Sequence, residues 1–202
     1  MNIQDSTNEL HRFFGLFNDH FFANKLPEPA ITIQTKGKRK CFGWCSLEER
    51  WKNKDESIKK YEINLTAEDL NRESSEIVET LLHEMLHLYA SVNGIKDCSR
   101  GGNFHNKRFK EIAEEFGFHY REPADKKYGW AFPVLNSDTI ELIRCWDMVE
   151  KSFEIARYIP EKAKKKSNTY KLECPVCGIK LRASKAGIAV LCKMCEVELI
   201  EY

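Results

Sequence analysis

The sequence predicts an α+β fold: a small, mainly antiparallel sheet packed against one strong helix, then further helices, then a separate four-cysteine ribbon. Three observations predict it. Apolar residues recur at helical spacing over about 5–23, 75–92, 106–116 and 138–149. Strand-like segments fall between the first two of these helices. Near the end of the chain, Cys174-x-x-Cys177 and Cys192-x-x-Cys195 are separated by fourteen residues.

In the first helix the apolar positions are Leu10, Phe13, Phe14, Phe17, Phe21 and Phe22, and Leu26-Pro27-Glu28-Pro29 is the expected stop, because proline cannot continue a helix. Ala30 to Thr35 alternates like a half-buried strand, Cys41 to Cys45 reads as a second strand and Tyr61 to Leu65 as a third, with a charged loop or hairpin over 46–60. The strongest helix runs from Ser75 to Val92. Ser74 or Ser75 is its expected cap, Glu76 and Glu79 suit its positive end, and Gly94 is a natural stop. Residues 95–104, with Gly101-Gly102, read as a loop. A helix follows from Asn106 to Phe116, ended by Gly117. Residues 123–135 are loop-like, and a last helix carries Leu142, Trp146 and Val149 on one stripe.

At 202 residues the chain has room for one catalytic-size domain and a small appendage. Charged residues make up 31% of it but nearly cancel, to +1, so any charged binding surface must come from local segregation. No apolar run approaches the roughly 20 residues that span a bilayer, so no membrane partner is expected. The start of the chain lacks a basic segment followed by an apolar one, so no signal peptide is read and a reducing cytoplasm is expected. Cysteines there bind metal more often than they pair. Of the eight, Cys41, Cys45, Cys98 and Cys145 are scattered and read as ordinary thiols.

His83-Glu84-Met85-Leu86-His87 lies in the middle of the strongest helix. Residues four apart share a helix face, so both imidazoles can reach one zinc ion. Glu84 follows the first of them, placed to take a proton from a water that the ion has acidified. A catalytic zinc usually takes a third protein ligand. A continuation with Gly at 90 and His at 93 is absent, since Ala90 and Asn93 stand there. His105 and His119 are the nitrogen candidates downstream, with the carboxylates of Glu111, Glu114 and Glu115 as rivals. His105 follows a Gly-Gly loop and opens the next helix, so a short loop can fold it back onto the site.

The run Thr80-Leu81-Leu82-His83-Glu84-Met85-Leu86-His87, followed by His105-x-x-x-Phe109, resembles the SprT-like family, which includes the Spartan proteases. The aromatic first helix with its Leu26-Pro27 exit, the Gly-containing and Ile-Asn-Leu strands, and Tyr170-x-x-x-Cys174-Pro175-x-Cys177-Gly178 followed by Arg182-Ala183-Ser184-Lys185 fit the same likeness. One departure is Asn106, where the family usually has Gly after the third histidine. The resemblance implies a zincin core with His83, His87 and His105 as zinc ligands and Glu84 as the base. It further implies proteolysis of proteins on DNA.

Cys174, Cys177, Cys192 and Cys195 have the spacing of a structural zinc ribbon, whose folding energy comes mostly from the metal. Two zinc ions are thus expected, one catalytic and one structural. Before the ribbon, residues 151–171 hold seven Lys or Arg against two Glu, including Lys164-Lys165-Lys166. A phosphate-binding surface and a solvated tether are equally open readings of this linker. The expected organisation is a metallopeptidase domain over 1–150, a basic linker over 151–171 and a ribbon over 172–202. The expected partners are a protein substrate and, through 151–202, DNA. A DNA-binding or adaptor zinc protein without proteolytic activity is the alternative. It would leave the first site needing a fourth protein ligand and an intact Glu84 without a use.

Overall fold

The structure, a computed structural model, describes residues 2–37, 40–148, 150–158, 160 and 169–202. The chain forms two compact units, Met1–Ile159 and Pro160–Tyr202.

Helix α1 (Ile3–Phe22) starts at a capping box in which the Asn2 side chain accepts from the N–H groups of Gln4 and Asp5, while the Asn2 N–H donates to Asp5. Leu10, Phe13, Phe14, Phe17 and Phe22 form its buried face. The prolines do not end this helix. It stops five residues before Pro27, where Ala23 and Asn24 turn left-handed at φ 50° and 57°. The buried Asn18 side chain then fixes the exit, donating to the Leu26 carbonyl at 3.0 Å and accepting the Leu26 N–H at 3.1 Å.

Strands β1 (Ala30–Gln34) and β2 (Gly43–Cys45) are followed by a hairpin of β3 (Trp51–Lys52) and β4 (Lys59–Lys60), and then by β5 (Glu62–Thr66). The central sheet has the order β1-β5-β2. It is mixed rather than mainly antiparallel: β1 pairs with β5 in parallel over five residues, and β2 pairs with β5 antiparallel over three. Side-chain alternation fixes which residues face the core and says nothing of strand direction. Direction follows from the long excursion through β2 and the hairpin, which returns β5 alongside β1.

Ile31, Ile63 and Leu65 turn toward α2 (Ser74–Val92), which is buried along Ile77, Val78, Leu81, Leu82, Met85, Leu86, Leu88 and Ala90. Neither serine caps it. Glu73 holds the cap position without a side-chain bond, and both serines lie inside the helix. Its other end is a Schellman motif, with Gly94 at φ 65°, the Ile95 N–H on Ala90 O at 2.8 Å and the Gly94 N–H on Ser91 O at 3.2 Å.

The next stretch is a hairpin of β6 (Cys98–Ser99) and β7 (Phe104–His105), not an open loop. Helix α3 (Lys107–Glu115) is capped by Asn106, and β8 (Phe118–His119) pairs with β9 (Val134–Leu135). Helix α4 (Ser137–Cys145) is capped by Asn136; Val149, expected on its stripe, lies outside the described residues. A 3-10 turn at Glu150–Phe153 returns to α1, burying Phe153 in the core and placing the Ser152 carbonyl on the Ser6 hydroxyl. Among the described residues, no helix is long and apolar enough to cross a membrane.

The second unit has a three-stranded antiparallel sheet in the order β11-β10-β14, from β10 (Tyr170–Glu173), β11 (Lys180–Ala183) and β14 (Ile200–Glu201), and a pair β12 (Leu191–Cys192) and β13 (Val197–Glu198). Leu172, Cys174, Cys192 and Leu199 form its small core. Tyr170 and Lys171 thus belong to the ribbon's first strand, whereas Lys162, Lys164, Lys165 and Lys166 lie outside the described residues.

Asn18→Ala should lower the stability of the first unit by about 2–4 kcal/mol, because it leaves both buried Leu26 backbone groups unpaired. All four tryptophans, Trp44, Trp51, Trp130 and Trp146, lie in that unit, so fluorescence-monitored urea unfolding reads it selectively.

Candidate metal centres

His83 and His87 stand one turn apart on α2, and the β6–β7 hairpin brings His105 between them. His105 Nε2 lies 3.3 Å from His83 Nε2 and 3.1 Å from His87 Nε2. Tetrahedral ligands held about 2.0–2.1 Å from one ion lie about 3.3–3.4 Å apart, so the three nitrogens have the spacing of a metal site. Phe109, one turn into α3, forms a common floor, with its ring 4.9, 4.7 and 4.5 Å from the rings of His83, His87 and His105.

Asp97 belongs to this centre and was missed in the sequence. It is 4% exposed, and its Oδ2 accepts from His87 Nδ1 at 2.5 Å. That bond leaves Nε2 as the nitrogen that faces the other histidines. An aspartate shortly after a helix-ending glycine looks in sequence like any surface residue. What brings it in is the β6–β7 pairing, which also places the Asn106 N–H on the Asp97 carbonyl at 2.9 Å. Asn106 itself caps α3 and donates to the Lys96 carbonyl, so an asparagine serves well directly after the third histidine.

The three imidazoles do not share charge equally. Burial opposes charge on His87, but hydrogen bonding to Asp97 and Cys98, with the nearby carboxylates, carries it up to about 10. Burial and the charge on His87 push His83 well below its ordinary value and His105 down to about 3. Without metal, one proton therefore sits on His87 and the other two rings stay neutral.

Glu84 is 5% exposed beside the cluster. Burial raises its carboxyl to about 7; the charge on His87 and the Cys45 N–H work against the rise, and Asp97 adds to it. Its Oε2 is buried without a hydrogen-bond partner. Gly43 on β2 permits this close packing. A Cβ there would lie 2.8 Å from the Asn64 carbonyl oxygen and 3.1 Å from Glu84 Cγ and Oε1. The neighbouring Cys45 thiol is pushed well above its ordinary value by burial and by Glu84, which makes it an inert neutral group. Trp44 and Trp130 are half-buried, and Trp51 is exposed on the hairpin. The rival ligands stand elsewhere. His119 pairs through its backbone with Val134, and Glu111, Glu114 and Glu115 are exposed on α3.

In the second unit Cys174, Cys177, Cys192 and Cys195 bring their sulfurs within 4.8 Å of one another, with Cys177 Sγ 3.7 Å from Cys192 Sγ. Four thiolates about 2.3 Å from a tetrahedral ion are about 3.8 Å apart. Each Cys-x-x-Cys turn closes in the same way, the Gly178 N–H bonding Cys174 O at 2.9 Å and the Glu196 N–H bonding Cys192 O at 2.8 Å. The Cys177 backbone N–H pulls Cys174 down to about 6.

A profile of the SprT-like family matches residues 10–128, which is more than half of the chain and includes His83, Glu84, His87, Asp97 and His105. The chain belongs to the SprT-like family. A search of curated proteins finds no match. This SprT-like chain continues past the matched region into the four-cysteine unit, which holds the second metal-competent cluster.

Zinc binding at the three-histidine cluster, with the ribbon already loaded, should release about one proton near pH 7. The ion must displace the proton held on His87, so affinity should rise about tenfold per pH unit below the His87 pKa. Calorimetry in two buffers of different ionisation enthalpy measures this. Asp97→Asn should reduce the release and weaken binding about 10–100-fold.

Proposed function

We propose that this SprT-like protein is a zinc-dependent metallopeptidase, with one catalytic zinc on His83, His87 and His105 and one structural zinc on the four cysteines. The observation that carries the reading is the convergence of three imidazole nitrogens beside a buried carboxyl raised to about 7. That is the donor set and the base that hydrolysis of a peptide bond needs.

A zinc ion held there supplies Lewis acidity, acidifying a water and polarising the scissile carbonyl. Glu84 takes the proton from the attacking water and later delivers it to the leaving amine. Its raised pKa suits both acts, since a group that titrates near neutrality can accept and return a proton. Asp97 holds His87 in one tautomer and orientation. Phe109 closes the floor and keeps water from the far side of the rings.

Strand β2 offers the substrate its backbone. The Thr66 N–H bonds Phe42 O and the Ser46 N–H bonds Glu62 O, both at 2.8 Å, so residues 42, 44 and 46 point their backbone groups at β5. Those of Gly43 and Cys45 turn to the other edge, where the Cys45 N–H meets Glu84. An extended peptide added along this edge passes beside the base. DNA-associated proteins are the proposed substrate class, on the strength of the family likeness and of the basic stretch over 151–171.

Metal analysis of the purified protein should find two zinc ions, and His87→Ala should leave one. A count unchanged by His87→Ala refutes the catalytic site. Glu84→Gln should keep both ions and the fold while losing about 10²–10⁴-fold in peptidase activity, the usual worth of a general base. Near-normal turnover in that variant would assign the proton transfer to another group.

A further inference from the structure

His105 reaches the cluster on a weak support. Strands β6 and β7 have two residues each, and the tip between them carries three left-handed residues, Arg100, Gly101 and Gly102. A two-residue hairpin is marginal by itself, whereas a metal ligand must be held to within about 0.5 Å.

A second segment grips the same residue. The His105 N–H donates to the Tyr128 carbonyl at 3.0 Å, and the Trp130 N–H donates to the His105 carbonyl at 2.9 Å. The gripping segment is closed on itself. Asp125 and Gly129 exchange backbone hydrogen bonds at 2.8 and 2.9 Å, and Asp125 Oδ1 accepts from the N–H groups of Lys127 and Tyr128, both at 2.7 Å. Its far end is moored to the body, because the Tyr120 hydroxyl donates to the Trp130 carbonyl at 2.9 Å.

Gly129 stands directly opposite His105. Its φ is +67°, and a Cβ there would lie 2.1 Å from the His105 carbonyl oxygen and 2.9 Å from the Phe104 ring. The first of these contacts is with backbone, which cannot rotate away. Only glycine lets the segment come close enough to bond both backbone groups of His105.

We propose that Asp125–Trp130 is a clamp that sets the position of His105, with Gly129 and Asp125 as its positioning residues. The proposal rests on His105 being a metal ligand. Both backbone groups of the third ligand are fixed by residues 23 and 25 positions away in sequence, so the geometry of the first metal site depends on a segment that touches no metal. Closure of the Asp125 turn presents the Tyr128 carbonyl and the Trp130 N–H at the correct separation.

The test uses the full chain with Gly129→Ala, Asp125→Ala and Asp125→Asn. Amide hydrogen exchange at His105 reads the clamp whether or not metal is bound. Cobalt(II) titration reads the ligand set, because the d–d bands of a three-nitrogen site separate from the thiolate charge-transfer bands of the ribbon, which serve as an internal control. Gly129→Ala should speed His105 exchange, weaken cobalt at the first site about 10–100-fold and alter its d–d intensity, with the ribbon bands unchanged. Asp125→Ala should do the same less strongly, and Asp125→Asn, which keeps the accepting oxygen, should restore wild-type values. If Gly129→Ala fails to fold, the Asp125 pair decides: equal exchange and equal cobalt binding in Asp125→Ala and wild type overturn the clamp. So does a folded Gly129→Ala with both readouts unchanged, or one that loses the ribbon bands in parallel. A wild type that takes cobalt only at the ribbon overturns the metal reading of His105, while the exchange rates still judge the clamp.

Discussion

Five ionisable side chains, His83, Glu84, His87, Asp97 and His105, lie buried or half-buried against a core of leucine and phenylalanine. Burying such groups without partners costs several kcal/mol each, and this constraint shapes the unit around them. Helix α2 spends nearly every other position on apolar packing, so its two histidines and Glu84 face one narrow gap between the sheet and α3. Everything that lines the gap reduces the cost. Asp97 balances the proton on His87, His105 accepts beside it, and the Cys45 N–H meets Glu84. In the metal-free protein the proton on His87 occupies the role a cation takes on the proposed reading.

The two metal-competent clusters are built on opposite plans. In the ribbon all four ligands come from two short turns of the same design, each closed by an N–H of the residue after the second cysteine. The first turn puts Gly178 in the left-handed region at φ 71°, and the second puts Glu196 there at φ 55°. A glutamate in that conformation costs about 1 kcal/mol relative to glycine, which four metal–sulfur bonds, on the proposed reading, would readily offset. The three-histidine cluster instead draws on a helix, a hairpin, and one further segment, Asp125–Trp130, that holds the hairpin's last residue. Four thiolates complete a tetrahedron and close the ribbon site, whereas three imidazoles leave a position open. An open site needs its ligands held from behind, since nothing in front completes the shell.

This difference also governs what could be read from the sequence. The ribbon and the His83–His87 pair were legible because their geometry is local: a turn or one helical step fixes it. His105 could be narrowed to a few candidates, and family likeness then selected it. Asp97, Gly43 and Gly129 were not legible, because each acts through a contact made in the folded chain and none has a motif. Gly43 was visible only as a glycine in a strand, without the carboxylate it packs against. The misread stop signal of α1 and the misread cap of α2 have one cause. Serine and proline are strong local signals, but the α1 exit was decided by the side chain of Asn18, which reaches eight residues along the chain. The parallel pairing of β1 with β5 escaped because alternation has no direction.

The outer edge of β2 restricts what the proposed peptidase can cut. Three residues separate Phe42 from Ser46, and of these Gly43 has no side chain and Cys45 turns toward α2, which leaves the half-buried Trp44 as the large side chain of the strand. The backbone groups of Gly43 and the Cys45 carbonyl remain, and backbone groups recognise an extended chain of any sequence. Such an edge admits a segment only after it has left its own fold, because paired strands and helices have no free N–H and C=O groups to give it. Selectivity on this design is conformational: folded proteins are excluded by their own hydrogen bonds, and unfolded or locally opened segments are admitted. A peptidase of this kind needs something else to bring it to the right substrate. A separate four-cysteine unit on the same chain, joined by a strongly basic stretch, is physically suited to that task on the proposed reading, because a partner bound there need not touch His87, Asp97 or His105.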